Sequence, residues 1–368
     1  MEAFMMVYKK YSSAIMLLAT LCLGCEPITD AVVNRPNENG MVAVSFSASV
    51  SASANDDSPL VKSGVTYGNM DFNSGEQFIW HENDKIGVFP VDNCDSIIFE
   101  NNVTPDCGYE FTISSNYSNE EASSYADFEG SIPSDILNME RVLATSGLKY
   151  SEITLNATQP FFYIKHVAPI QIGESTSHLS EMDFKYSVSE PIAASFLEST
   201  PVTLPGLQMK HINSLLRYHM MNETQDDWRV MSVEVSAVDT LSGLPSSKFY
   251  SDCYIKIDIP TNNWMGNKSW ASIRDKVTLW FSESETDRNG MIIPAREFID
   301  GYQMVIPTDN LSSINLVFTV LLSSYDGTIF KSCTPLVLAG KEILHERFES
   351  GYRYVFNLRI TDDILSSI

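Results

Sequence analysis

A chain of 368 residues is long enough for two domains, each with its own hydrophobic core, and its 44% hydrophobic and 11% aromatic content excludes disorder over the whole length. Lys+Arg 24 against Asp+Glu 47 gives a net charge of −23, which repels phosphate backbones and anionic lipid faces and so excludes nucleic acid as a partner. Six cysteines are too few to staple a chain of this size.

The chain opens with three consecutive features of an export signal. Lys9 and Lys10 carry positive charge, an apolar run extends from Ala14 to Leu23, and Gly24-Cys25 closes it. The run is shorter than the ~20 apolar residues that span a bilayer, and it has the length of a signal-peptide core. A small residue directly before a cysteine resembles the lipobox of bacterial lipoproteins, although Cys22 stands three positions before Cys25, where a larger aliphatic residue is usual. Residues 1–24 are accordingly read as a lipoprotein signal peptide and Cys25 as the acylated first residue of the mature chain. The stretch to residue 40, with Pro27, Pro36 and Gly40, reads as a tether.

From Met41 the hydrophobic period becomes two. Val42, Val44, Phe46, Ala48 and Val50 alternate with small residues, which predicts a strand with one buried face. A polar loop follows from Ser51 to Pro59. Further strands are predicted at Lys85–Phe89, Ile153–Leu155, Phe161–Ile164, Val230–Val238, Tyr254–Ile259, Val277–Phe281 and Ile314–Val320. The segment Ile212–Met220 fits either a turn or two of helix or a strand. In the last predicted strand Tyr352, Tyr354, Phe356, Leu358 and Ile360 share a face, with Arg353, Asn357 and Arg359 opposite. Many short strands separated by turn signals indicate β-sandwiches. The turn-rich stretch Asp239–Ser247 places a boundary between domains at 41–240 and 241–368.

Residues that carry chemistry are sparse. No nucleophile elbow, metalloprotease helix, phosphate loop or dinucleotide fingerprint occurs, so no enzyme activity and no cofactor are expected. His211 and His219 lie eight apart in one segment, without a third ligand for a metal. Glu174, Glu181, Asp183 and Glu190 read as solvated charges on a polar stretch. Cys94, Cys107, Cys253 and Cys333 read as buried free thiols; Cys94 and Cys107 are close enough in sequence for a bridge, which is the alternative. Asn262 to Trp270 puts Trp264 and Trp270 in a polar segment with Asn263 and Asn267. That composition suits stacking on sugar rings, but two rings that cap the core of the second domain are the reading the residues favour.

Four stretches taken in order resemble the fimbrillin-like lipoproteins of Bacteroidetes. They are Trp80-His81-Glu82-Asn83-Asp84-Lys85-Ile86-Gly87-Val88-Phe89; Met209-Lys210-His211-Ile212-Asn213-Ser214-Leu215-Leu216; Tyr302-Gln303-Met304-Val305-Ile306-Pro307; and Gly351-Tyr352-Arg353-Tyr354-Val355-Phe356-Asn357-Leu358 after Phe348. The resemblance implies two consecutive β-sandwich domains of transthyretin-like topology. It also implies a pilus subunit, tip or anchor protein at the outer membrane, assembling with other pilin subunits by donor-strand exchange and adhering to host or bacterial surface ligands. Polymerising members are cut after an arginine near the first strand. Here Arg35 is followed by Pro36, which blocks such a cut and leaves Lys62 as the candidate maturation site. A cell-surface glycan-binding lipoprotein using Trp264 and Trp270 is the alternative function.

Overall fold

The computed structural model describes residues 40–367 apart from 51–59, 63–64, 70–79, 81–83, 99–107, 115–124, 148–150, 157–158, 165–169, 173–178, 180–181, 198–200 and 282–288. Its first half contributes β1 (Met41–Val50), β2 (Leu60–Lys62), β3 (Val65–Asn69), β4 (Lys85–Val91), β5 (Tyr109–Ile113), β6 (Tyr125–Pro133) and β7 (Arg141–Ser146). Then come β8 (Ser151–Asn156), β9 (Gln159–Ile164), β10 (Ile170–Ile172), β11 (Lys185–Val188), β12 (Val202–Thr203) and β13 (Leu207–His211). The second half adds β14 (Ser214–Asn222), β15 (Trp228–Asp239), β16 (Phe249–Asp258), β17 (Asn263–Arg274), β18 (Lys276–Trp280) and β19 (Met291–Ile293). The last strands are β20 (Phe298–Val305), β21 (Ile314–Ser324), β22 (Phe330–Ala339), β23 (Tyr352–Ile360) and β24 (Ser366–Ser367). Among the described residues the α-helix is confined to one turn, Ala194–Leu197. The predicted strands all form, and of Ile212–Met220 the part from Ser214 onward is strand, because Leu216, Tyr218 and Met220 alternate into the core.

Among the described residues four sheets result, and the first is closed. β1, β13, β11, β7, β4, β5 and β6 pair in that order, and β6 returns to pair with β1. β12 shares with β13 the other edge of β1. The sequence leads to a sandwich for this half; the sheet closes instead because both edges of β1 are paired. Inward residues fill a closed sheet, and here Val44, Phe46, Phe111, Phe128 and Val142 do so, with Trp80 among them.

The second half is a sandwich. One layer runs β10-β18-β15-β21-β22-β24, with β19 also paired to β15, and the other β2-β3-β23-β14-β20. Between them lie Tyr218, Val235, Phe318 and Phe356, with the Phe318 and Phe356 ring centroids 4.6 Å apart. A fourth sheet, β17-β16-β9-β8, helps enclose a third core. There Ile255 and Ile257 of β16 meet Phe89, Leu143 and Tyr186 of the closed sheet and Leu215 and Met304 of the sandwich.

Sheet membership changes between His211, which ends β13, and Ser214, which begins β14. Asp239–Ser247 forms the turn that carries the chain from β15 of the sandwich to β16 of the fourth sheet, with an isolated bridge between Val238 and Pro245. In it the Asp239 carboxylate accepts hydrogen bonds from the backbone N–H of Leu241 and Ser242 and from the Ser242 hydroxyl.

Candidate strand-exchange site

β1 fits its slot along its whole length. Val42, Val44, Phe46, Ala48 and Val50 are buried, while Ala43, Ser45, Ser47 and Ser49 face outward. On one edge it runs antiparallel to β6 from Met41↔Pro133 to Ser49↔Tyr125. On the other it runs parallel first to β12, at Val44↔Val202, and then to β13, at Ala48↔Leu207. Between those two segments the backbone N–H of Leu204 donates to the Ser45 carbonyl, 2.8 Å away, which keeps the ladder continuous.

Aromatic packing anchors the middle of the strand. The Phe46 ring lies 5.1 Å from Phe111 and 5.7 Å from Phe128, and Trp80 meets Phe128 edge-on at 5.0 Å. Gly130 lies opposite both Val44 and Phe111, and a Cβ there would stand 2.7 Å from the Phe111 ring. Glycine at 130 therefore permits the close approach that lets Phe111 fill the interior. On the outward face, Tyr125 Oη donates to Ser47 Oγ at 2.6 Å, and Ser47 Oγ donates to Asp127 Oδ1 at 2.7 Å.

Of the predicted maturation residues, Cys25 lies outside the described residues. Lys62 ends β2 opposite Val65 of β3, and its side chain lies outside them too. β3 in turn pairs with β23, Val65 opposite Phe356. The segment that follows β1 in the chain is thus carried onto the edge of the sandwich.

The tryptophan segment is not a loop. Asn263 begins β17, and Trp264 is opposite Ile257 of β16. The Trp264 ring is half-buried against the third core, and its indole N–H donates to Ser350 Oγ at 3.1 Å. Asn263 is exposed, and the side chains of Asn267 and Trp270 lie outside the described residues. Asn262, at φ 47°, makes the turn. Its carbonyl accepts from Lys210 Nζ at 2.8 Å and its side-chain oxygen accepts from the Val188 N–H at 3.1 Å, joining this hairpin to the closed sheet.

Sequence reasoning missed a buried charge cluster. Asp183 is not a solvated loop carboxylate. It is 3% exposed, with Lys185 Nζ at 2.8 Å and His211 Nδ1 at 2.7 Å. Burial alone raises a carboxyl's pKa, but the charges and hydrogen bonds of His211 and Lys185 prevail and hold Asp183 well below the usual range. Ser350 Oγ donates to the His211 carbonyl at 2.6 Å, so the cluster sits where the chain passes from closed sheet to sandwich. The two histidines set eight apart occupy different sheets, each paired to its own aspartate, His211 to Asp183 and His219 to Asp300. No group of metal-ligating residues occurs among the described residues. Cys333 is buried, and burial pushes its thiol up to about 12. Cys94 is exposed in a turn, and its proposed partner Cys107 lies outside the described residues.

No family model matches the chain, and no curated protein does. Solved structures align over most of its length. A candidate cell adhesion protein from Bacteroides uniformis aligns at 10% identity, covering 90% of this chain and 96% of its own, with a TM-score of 0.42. One from Bacteroides ovatus aligns at 14% identity, covering 88% and 94%, with a TM-score of 0.43. The fimbrial anchor protein Mfa2 from Porphyromonas gingivalis aligns at 8% identity, covering 89% and 95%, with a TM-score of 0.36. Among the structural neighbours of this chain are thus candidate cell adhesion proteins of Bacteroides and a fimbrial anchor protein.

Proposed function

We propose that the protein is a structural and adhesive cell-surface lipoprotein, a fimbrial subunit, tip or anchor, in which β1 is the exchangeable strand. The observation that supports this reading is the pairing of β1 along both edges, with its apolar side chains turned into the core. Removing such a strand opens the closed sheet and exposes two edges and an apolar slot. A strand of like pattern from another subunit restores the main-chain bonds, and its alternate side chains set the register. Burial of Val42, Val44, Phe46 and Val50 contributes roughly 6–12 kcal/mol, at ~1.5–3 kcal/mol each, and a donor strand recovers a comparable amount. The function calls for no catalytic centre.

Limited trypsin digestion of the folded protein with mass spectrometry tests the exchange. The expected first cut follows Lys62, with loss of the β1 fragment and association of the cut protein on size exclusion. Resistance at Lys62, or a cut that neither releases the strand nor causes association, would make β1 the permanent first strand of an anchor. The lipid anchor has its own test. Cys25→Ser is expected to release the protein from the membrane fraction or to trap a heavier precursor. Unchanged fractionation and mass would overturn lipidation at that residue.

A further inference from the structure

The face of β14 and β20 turned away from the sandwich core is covered by the third core at Leu215 and Met304, and beyond that cover it carries a second arrangement that strand exchange does not use. Register puts Arg217 beside Tyr302 and His219 between Asp300 and Asn357, with Phe298 two residues before Asp300 on β20. Successive rows on such a face are ~6.8 Å apart and neighbouring strands ~4.8 Å apart, the scale of one sugar ring per row. Phe298 is 54% exposed, and its ring centroid lies 4.8 Å from that of His219.

The polar groups are held before any ligand arrives. Arg217 grips Asp300 with two bonds, Nε to Oδ1 at 3.1 Å and Nη2 to Oδ2 at 2.8 Å. His219 Nδ1 lies 2.9 Å from Asp300 Oδ1, and the Arg217 guanidinium lies 5.7 Å from the centre of the Tyr302 ring. Burial raises the Asp300 carboxyl, but the hydrogen bonds from Arg217 and His219 outweigh it and keep it ionised. Fixed side chains on strands reduce the entropy lost on binding.

The charges decide the kind of ligand. Arg217 is already matched by Asp300, so an anion has to compete with that carboxylate for the guanidinium. An apolar segment laid on the face strips water from Asp300 and His219 and returns no hydrogen bonds. A sugar satisfies both demands: its C–H face stacks on an aromatic ring, and its hydroxyls both donate and accept. We propose that this face binds a neutral oligosaccharide, with a pyranose ring on Phe298 and hydroxyls bonded by Asp300, His219 and Asn357. The proposal rests on the adhesive part of the function above and not on strand exchange, so a digestion result and a sugar-binding result can fail separately.

Native gel electrophoresis of the full-length protein through soluble xylan, mannan or laminarin tests it, with polygalacturonate as the anionic control. Retardation is expected in at least one neutral polysaccharide and not in polygalacturonate. Phe298→Ala is expected to weaken it about tenfold, Phe298→Trp to retain it, and Phe330→Ala, on an exposed ring of the other layer, to leave it unchanged. Because Phe298 is exposed, the variants are expected to melt with the parent protein. Absence of retardation in all three neutral gels, retardation by polygalacturonate alone, or undiminished retardation of Phe298→Ala would overturn the proposal.

Discussion

Phe356→Ala is expected to lower the free energy of unfolding by about 3–5 kcal/mol. The ring is fully buried in the middle of β23, and its centroid lies 4.6 Å from that of Phe318 and 6.3 Å from those of Tyr218 and Phe348. It therefore contacts both layers of the sandwich, and its own strand pairs with β14 on one side and β3 on the other. Truncation leaves a cavity walled by aromatic rings on rigid strands, which have little freedom to collapse into it. Urea denaturation followed by tryptophan fluorescence measures the loss. A loss below about 1 kcal/mol would show that the wall does relax and that β23 is peripheral to the sandwich.

Asp183→Asn is expected to be comparably severe, about 3–5 kcal/mol, because it leaves the Lys185 ammonium buried without a counter-charge. Changing Asp183→Asn and Lys185→Met together removes both members and is expected to recover much of the loss. The cluster also imposes a pH dependence of definite sign. The carboxyl pKa of folded Asp183 lies well below its ordinary value, so the native state resists protonation more than the unfolded chain does. Its stabilisation is fully present above the unfolded pKa of about 4 and is lost progressively as pH falls below that value. Melting temperatures between about pH 3 and 7 should fall towards acid in the parent and more shallowly in Asp183→Asn. Parallel curves would show that the cluster does not govern acid stability.

Tertiary context also explains Trp264. Amides and tryptophans in a polar stretch fit both a sugar-binding loop and a hairpin edge. What separates them is Ser350, 86 positions away, whose hydroxyl takes the indole N–H. Phe298 is the converse case: a phenylalanine in a strand ordinarily goes inward. Its exposure follows from the register of β20, in which Ile299 and Gly301 take the buried positions.

The sequence by itself determined the all-β character and the positions of the main strands. Alternation along β1, β15, β21 and β23 is a local signal, because successive side chains on a strand point to opposite faces and one face must leave water. Only the tertiary structure decided that β6 returns to β1, that β3 crosses to β23, and that Asp183 lies between Lys185 and His211. These depend on which strand edges meet, and two edges with the same hydrophobic alternation are indistinguishable until the whole chain has packed. A carboxylate in a polar stretch reads as solvated until a lysine on the next strand and a histidine 28 positions later are brought against it.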